Sequence, residues 1–193
     1  MSGKYTLYYF PFGGRADAIR MALTGNGIEF EDEHITDFAE SDIKKECEYG
    51  QLPALRTPEG KLLVQTNSIL RYLGTRHGFY PEDSQQAYEV DSLADYCDDV
   101  GKGVVPIFMA QEEEAKKEAW KKFLTEDVPK SFERLEARLE RIGTGYLATD
   151  KPTMADYKAW SQLVSFLGHE HIKDALAPHI ESFTKVKEYT ERG

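Results

Sequence analysis

Tyr8 and Tyr9 stand at the end of an aromatic and β-branched run that starts at Lys4, and Pro11, Gly13, Gly14 and Arg15 follow at once. The run suits a pleated, half-buried strand. Pro11 ends strand pairing because it has no N–H to give a ladder. The two glycines permit a tight turn and the close approach of another backbone. A ligand of an open α/β sheet binds outside the carboxyl end of a strand, beside such a loop. Side chains alternate faces along a strand, so only one of the two tyrosines points at a given site, and the spacing does not choose between them. A second chemical feature is Gln65-Thr66-Asn67-Ser68, which opens a helix whose unpaired N–H groups attract a carboxylate. A third is the acidic stripe Asp91, Asp95 and Asp98 at i, i+4 and i+7, with Asp99 beside it; like charges so spaced cost about a few tenths of a kcal/mol per pair. His169 and His171 have no third metal ligand in helical register, and no Ser-His-Asp arrangement is supported.

The elements that must hold these groups can be read in order. From Arg15 a helix pattern carries Ala16, Ile19, Ala22 and Leu23 on one face, and Gly25-Asn26-Gly27 stops it. Residues 28–35 begin with apolar–polar alternation and read as a second strand, so strand, helix and strand form a right-handed parallel crossover. A polar helix is expected around 40–48. Gly50 to Leu55 reads as a third strand interrupted by Pro53, and the turn Pro58-Glu59-Gly60 makes residues 54–57 and 61–64 a hairpin. The helix after Gln65 turns Ile69, Leu70 and Leu73 inward.

Helix patterning stops between His77 and Pro81, and beyond about residue 84 the chain reads as all helix. Val90, Leu93, Cys97, Val100, Val104 and Phe108 form one long apolar stripe, which Pro106 should kink near its end. Leu124, Val128, Phe132, Leu135, Leu139 and Ile142 form another, with a kink expected at Pro129. Gln111 to Glu118 reads as a solvated connection. Thr153 and Asp156 form a variant capping box ahead of Tyr157 and Trp160. A last helix is expected from about Pro178 to the end.

The chain has 193 residues, 40% hydrophobic and 30% charged, as in an ordinary soluble globular protein. A net charge of −10 without a basic stripe argues against a nucleic-acid partner. Cys47 and Cys97 form no CxxC and no zinc spacing, which fits a reducing compartment, although two cysteines still allow one bridge. No apolar run suits a signal peptide or approaches the ~20 residues of a membrane helix, so the expected location is cytoplasmic.

Taken together, Tyr9-Phe10 followed by Gly14-Arg15-Ala16, the Gln51-Leu52-Pro53 strand, Gln65-Thr66 before Arg71-Tyr72-Leu73, and Asp95 with Asp98-Asp99 resemble a cytosolic glutathione transferase, most similar to the sigma class. The resemblance implies an α/β thioredoxin-like N-terminal domain over residues 1–77, a linker over 78–83 and an all-α helical domain over 84–193. It implies a homodimer, a detoxifying role, and glutathione as co-substrate for a small hydrophobic electrophile. It selects Tyr9 as the donor that stabilises the glutathione thiolate, puts Tyr8 on the other strand face, and places Arg15 beside the sulfur. It assigns Gln51, Leu52 and a cis Pro53 to the cysteinyl unit, Gln65 and Thr66 to the γ-glutamyl carboxylate, and Lys44 to the glycine carboxylate. An aromatic residue usually supports that last contact, and this chain is expected to put Glu40 there, with Phe38 two residues earlier. Asp99 would reach the amino group of a partner's glutathione. Asp95, Asp98 and Asp99 would match an interface cluster for magnesium or calcium. Phe10, Phe12, Gly14, Ile107 and Phe108 are the implied electrophile pocket.

Two other activities follow from the same resemblance: a glutathione-dependent isomerase or peroxidase of the prostaglandin-synthase type, and a crystallin-like homologue without catalysis. Members of the family usually continue some ten to fifteen residues past the point matching Gly193, which would leave the pocket here more open.

Overall fold

The computed structural model describes residues 3–168 and 180–192, with the side chains of Phe108 and residues 164–168 outside the description. The expectations for His169, His171 and the helix start at Pro178 therefore lie outside the described residues. The chain divides into two compact units, Met1–Glu82 and Asp83–Gly193.

In the first unit, β1 (Tyr5–Tyr9), α1 (Asp17–Gly25) and β2 (Phe30–His34) form the expected parallel crossover, with Tyr5 opposite Phe30 and Tyr9 opposite His34. A short α2 (Asp42–Glu46) precedes β3 (Ala54–Arg56), β4 (Leu62–Val64) and α3 (Thr66–His77). β3 runs antiparallel to β1 and to β4, so the sheet order is β2-β1-β3-β4. The strand expected over Gly50 to Leu55 starts only at Ala54, beyond a cis Leu52–Pro53 bond of the kind the resemblance implied. Leu7, Ile19, Leu23, Leu55, Ile69, Leu70 and Leu73 are fully buried and form the core of this unit. The opposite sheet face is covered by Ile43 and Cys47, against which Tyr8, Phe38, Leu52, Leu62 and Val64 pack. Alternation along β1 thus sends Tyr5, Leu7 and Tyr9 one way and Thr6 and Tyr8 the other.

The second unit holds α4 (Ser84–Lys102), α5 (Val105–Met109), α6 (Glu113–Lys122), α7 (Val128–Ile142), α8 (Met154–Gly168) and α9 (Thr184–Thr190). Three expectations are corrected. The long stripe from Val90 to Phe108 is two helices, because α4 ends at Gly101 to Gly103, and Pro106 sits in the first turn of α5, where its missing N–H is no loss. A Cβ on Gly103 would come within 3.1 Å of the Phe123 ring, a tight contact that glycine avoids. The segment Gln111 to Glu118 is mostly the exposed helix α6 rather than a loop. Pro129 kinks nothing by itself. A single π-helical turn at Phe123–Asp127 joins α6 to α7, with Val128 N–H donating to Phe123 O, five residues back. That extra residue turns Phe123 to the core instead of Leu124, in line with Val128, Phe132, Leu135 and Leu139.

Asp156 lies fully buried at the start of α8. Its carboxylate accepts from Thr153 N–H and Thr153 Oγ1, both at 2.8 Å, from Leu147 N–H at 3.0 Å and from Tyr189 Oη at 3.1 Å. The expected capping box is therefore also the joint between α8, the 143–153 loop and α9. Burial pushes the Asp156 pKa upward while those donors pull against it. Glu136 of α7 caps α9, accepting from Lys185 and Val186 N–H at 3.1 and 2.9 Å. Both cysteines are buried thiols with no bridge. Burial raises the Cys97 pKa to about 12 and raises that of Cys47 as well. A thiol with a raised pKa stays protonated at pH 8, and the thiolate is the reactive form. Thiol titration at pH 8 is expected to be slow at both positions in the native protein and complete only on unfolding; rapid native modification of Cys97 would contradict this placement.

Candidate functional site

The loop after β1 brings backbone to the Tyr9 hydroxyl. Arg15 N–H donates to Tyr9 Oη at 3.2 Å. A Cβ on Gly14 would stand 2.8 Å from the same oxygen, closer than real Cβ contacts, so a side chain there would displace it. Tyr9 itself is only 7% exposed. A phenol offers one proton and two acceptor sites. The amide fills one acceptor site and leaves the proton for donation. Tyr8 is held elsewhere, with Arg56 Nε 3.4 Å from its hydroxyl and the Arg56 guanidinium over its ring. The two tyrosines thus lie on opposite faces of the sheet.

Arg15 presents its backbone N–H to Tyr9, while its side chain is exposed. The cation beside the Tyr9 ring is Arg20, 5.7 Å from its centroid, a residue that sequence reading missed. Arg20 is fixed by Asp17 at 2.7 Å and by two bonds to Asp32 at 2.7 and 3.2 Å. Its place in the first turn of α1, five residues past Arg15, was the available signal.

Gln65 caps α3 with φ of 72°, in the left-handed region that a non-glycine residue seldom enters, and Gln65 Nε2 donates to Gln51 Oε1 at 3.1 Å. Thr66, the first residue of α3, is buried. The two glutamines and the helix N-terminus thus lie together. Lys44 is exposed on α2, its Nζ 3.5 Å from Ala39 O. Phe38 is the aromatic residue of the segment before α2, with its ring edge-on to Phe10 at 6.3 Å. Glu40, expected in the aromatic position, is exposed, and its N–H is bound to Asp37. Phe10 and Phe12 stack at 5.2 Å with 5° between their planes, and Tyr9 lies edge-on to both, at 5.3 and 6.1 Å.

The remaining expected residues belong to the second unit. Ile107 is buried on α5; the Phe108 side chain lies outside the described residues. Asp99 pairs with Lys102 at 2.7 Å, both exposed. Asp98 pairs at 2.7 Å with Lys158 of α8, whose side chain is 5% exposed against 40% for the carboxylate. Among the described residues no group of three His, Cys, Asp or Glu could hold a metal ion. Two of the three expected carboxylates, Asp98 and Asp99, pair with ammonium groups of the same chain.

The Asp98–Lys158 pair should be asymmetric. Asp98→Asn leaves a buried ammonium without its counter-charge, while Lys158→Met leaves a carboxylate that water can reach. Unfolding in urea is expected to show a loss of about 1–3 kcal/mol for Asp98→Asn, discounted for partial exposure, and less than about 1 kcal/mol for Lys158→Met. Equal losses would show that the lysine is not held by this charge.

Residues 3–75 match the family model for the glutathione S-transferase N-terminal domain, and residues 98–192 match that for the glutathione S-transferase C-terminal domain. Glutathione S-transferase P of Bos taurus is 33% identical over 192 residues, covering 97% of this chain and 86% of the relative. The structure of prostaglandin synthase D of Nilaparvata lugens superposes with a TM-score of 0.81 at 28% identity, covering 98% of this chain and 91% of the other. That of monomeric Na-GST-3, a glutathione S-transferase of the hookworm Necator americanus, does so at 0.83 and 25% identity, covering 98% and 90%.

Proposed function

The chain belongs to the glutathione S-transferase family and is a glutathione transferase, and from that premise we propose that the Tyr9 hydroxyl holds bound glutathione as its thiolate for attack on small hydrophobic electrophiles. The observation that carries this reading is the Tyr9 hydroxyl itself, engaged by Arg15 N–H as an acceptor and left with a proton to give. An unperturbed thiol has a pKa of about 8.5, so little of it is ionised at neutral pH. A hydrogen bond to a charged group contributes roughly 1.5–3 kcal/mol, or about one to two pKa units. At the upper end of that range thiolate is the main species at pH 7. The thiol proton goes to solvent, the sulfur lone pair forms the S–C bond, and the leaving group departs with the bonding pair.

Within the first unit, Gln65 and Thr66 would receive the γ-glutamyl carboxylate, and Leu52 with Gln51 and Pro53 the cysteinyl unit. Lys44 would meet the glycine carboxylate, with Phe38 rather than Glu40 as its aromatic neighbour. Phe10, Phe12 and Gly14 would border the electrophile. Asp99 would serve a second copy's glutathione in a homodimer working in the cytosol; among the described residues no helix is long and apolar enough to cross a membrane. The mammalian relative's P name weighs against the narrower sigma-class reading.

The test pairs calorimetric titration of glutathione with conjugation to a chromogenic aryl halide. Binding with turnover supports the proposal. Binding without turnover of any electrophile favours the non-catalytic reading. The likeness to prostaglandin synthase D supports a second activity, glutathione-dependent isomerisation of a lipid peroxide. Product formation without glutathione consumption would favour that activity.

A further inference from the structure

We propose that Asp17 is a positioning residue for the thiolate donor: its carboxylate clamps the loop after β1, so that the Tyr9 hydroxyl keeps its proton directed at the sulfur. The inference rests on the thiolate reading above and adds a residue to it. Asp17 is the first residue of α1. Its Oδ2 accepts from Gly14 N–H at 2.6 Å, and its own N–H donates to Gly14 O at 3.0 Å. One residue thus holds both polar groups of Gly14. The same Oδ2 lies against Gly13, where a Cβ would stand 3.0 Å from it. The other oxygen, Oδ1, accepts from Arg20 Nη1 at 2.7 Å. Arg20 in turn reaches Asp32 of β2 and lies over the Tyr9 ring. A single carboxylate therefore ties the loop to the sheet and to the ring that carries the donor.

The clamp matters because two adjacent glycines give a loop unusual backbone freedom. Arg15, next in the chain, donates its N–H to Tyr9 Oη, and that bond is only as ordered as the loop that carries it. A main-chain N–H bound to a carboxylate makes a stronger bond than one bound to a neutral acceptor. The carboxylate is itself fixed by Arg20, and the side chains of the pair are only 23% and 21% exposed. With the clamp in place, the Arg15 amide fills one acceptor site of the phenol and the proton is left to the sulfur. With the clamp gone, the loop samples other conformations and the hydroxyl is no longer pinned. The loss falls on ionisation rather than on tripeptide affinity. The groups proposed to hold the peptide stand on α2, on the Leu52–Pro53 turn and at the start of α3, and Asp17 touches none of them in that role.

The test follows thiolate absorbance of bound glutathione against pH in the native enzyme, Asp17→Ala, Asp17→Asn, Tyr9→Phe and the double variant Tyr9→Phe/Asp17→Ala. Asp17→Ala is expected to lower the thiolate fraction at pH 7, and kcat with it, roughly three- to tenfold, with the KM for glutathione within about twofold of native. Asp17→Asn keeps an amide oxygen for Gly14 N–H and is expected to restore most of the loss. In the Tyr9→Phe background, Asp17→Ala is expected to change the titration no further, because a residue that acts through the hydroxyl has nothing to act on once the hydroxyl is gone. A merely structural role would instead add its effect in both backgrounds. Alanine suits a helix start open to water on one side, and urea unfolding checks that α1 is retained. Additive effects, or an asparagine variant no better than alanine, would overturn the positioning role. A shifted titration in Tyr9→Phe with none in Asp17→Ala would overturn it and leave the thiolate reading standing. An unshifted titration in Tyr9→Phe would overturn the thiolate reading, and the positioning role with it.

Discussion

Tyr9→Phe is expected to lower kcat/KM for aryl halide conjugation roughly ten- to a hundredfold, with the KM for glutathione little changed. The ring stays, with its edge contacts to Phe10 and Phe12, and only the hydroxyl goes. Peptide binding uses Gln65, Thr66 and Leu52 in the proposed site, so affinity should survive while ionisation suffers. The sign of the pH effect follows directly. Removing a donor to the sulfur raises the pKa of bound glutathione toward its free value, by about one to two units. The rate profile should therefore move to alkaline pH, and the variant should recover as pH rises. Thiolate absorbance of the bound tripeptide against pH measures the shift apart from turnover. A profile that does not move would assign the ionisation to another donor, with the backbone around Gly14 and Arg15 the first to examine.

The largest effect on stability is expected at Asp156. Asp156→Ala strips acceptors from Thr153 N–H, Thr153 Oγ1, Leu147 N–H and Tyr189 Oη, in a position closed to water. Buried donors left unmet cost about 1–3 kcal/mol each, though such losses do not add fully, so ~3–5 kcal/mol is expected for the whole. Thr153→Ala removes one of these bonds, for about 1 kcal/mol. Denaturant midpoints of the two variants should fall in that order. A small change for Asp156→Ala would mean that the joint between α8 and α9 is held mainly by Trp160, whose Nε1 donates to Tyr189 O and whose ring stacks on Tyr189.

Most of the first unit was legible because its signals are local. Pro11 and the glycines mark the end of β1, and Pro58-Glu59-Gly60 marks the hairpin turn. Which face each tyrosine takes was not legible from alternation alone; that α2 closes over the Tyr8 face is a tertiary fact. Arg20 escaped notice because a cation over a ring has no sequence signature beyond helical spacing. In the second unit, periodicity found the stripes but not their joints. It ran Val90 to Phe108 together across the α4 terminus, because the apolar spacing continues through two glycines. It chose Leu124 over Phe123 because it assumed 3.6 residues per turn through a stretch that has more. The partner of Asp98 was not legible for a different reason: Lys158 lies sixty residues after it in the chain and is packed beside it in the fold.

The π-helical turn at Phe123–Asp127 also bears on which length changes this chain can absorb. Removing one residue from an ordinary helix swings everything beyond it by about 100° and takes its core stripe out of register. Here Phe123 and Val128 face the core five positions apart. Loss of a residue between them would leave a spacing of four, which a plain α-helix keeps on one face. Pro129 would then stand inside an unbroken helix, at a penalty of about 3 kcal/mol. Natural shortening of this stretch should accordingly travel with replacement of the proline, and the two changes together would give a straight, uninterrupted rod from Glu113 to Ile142.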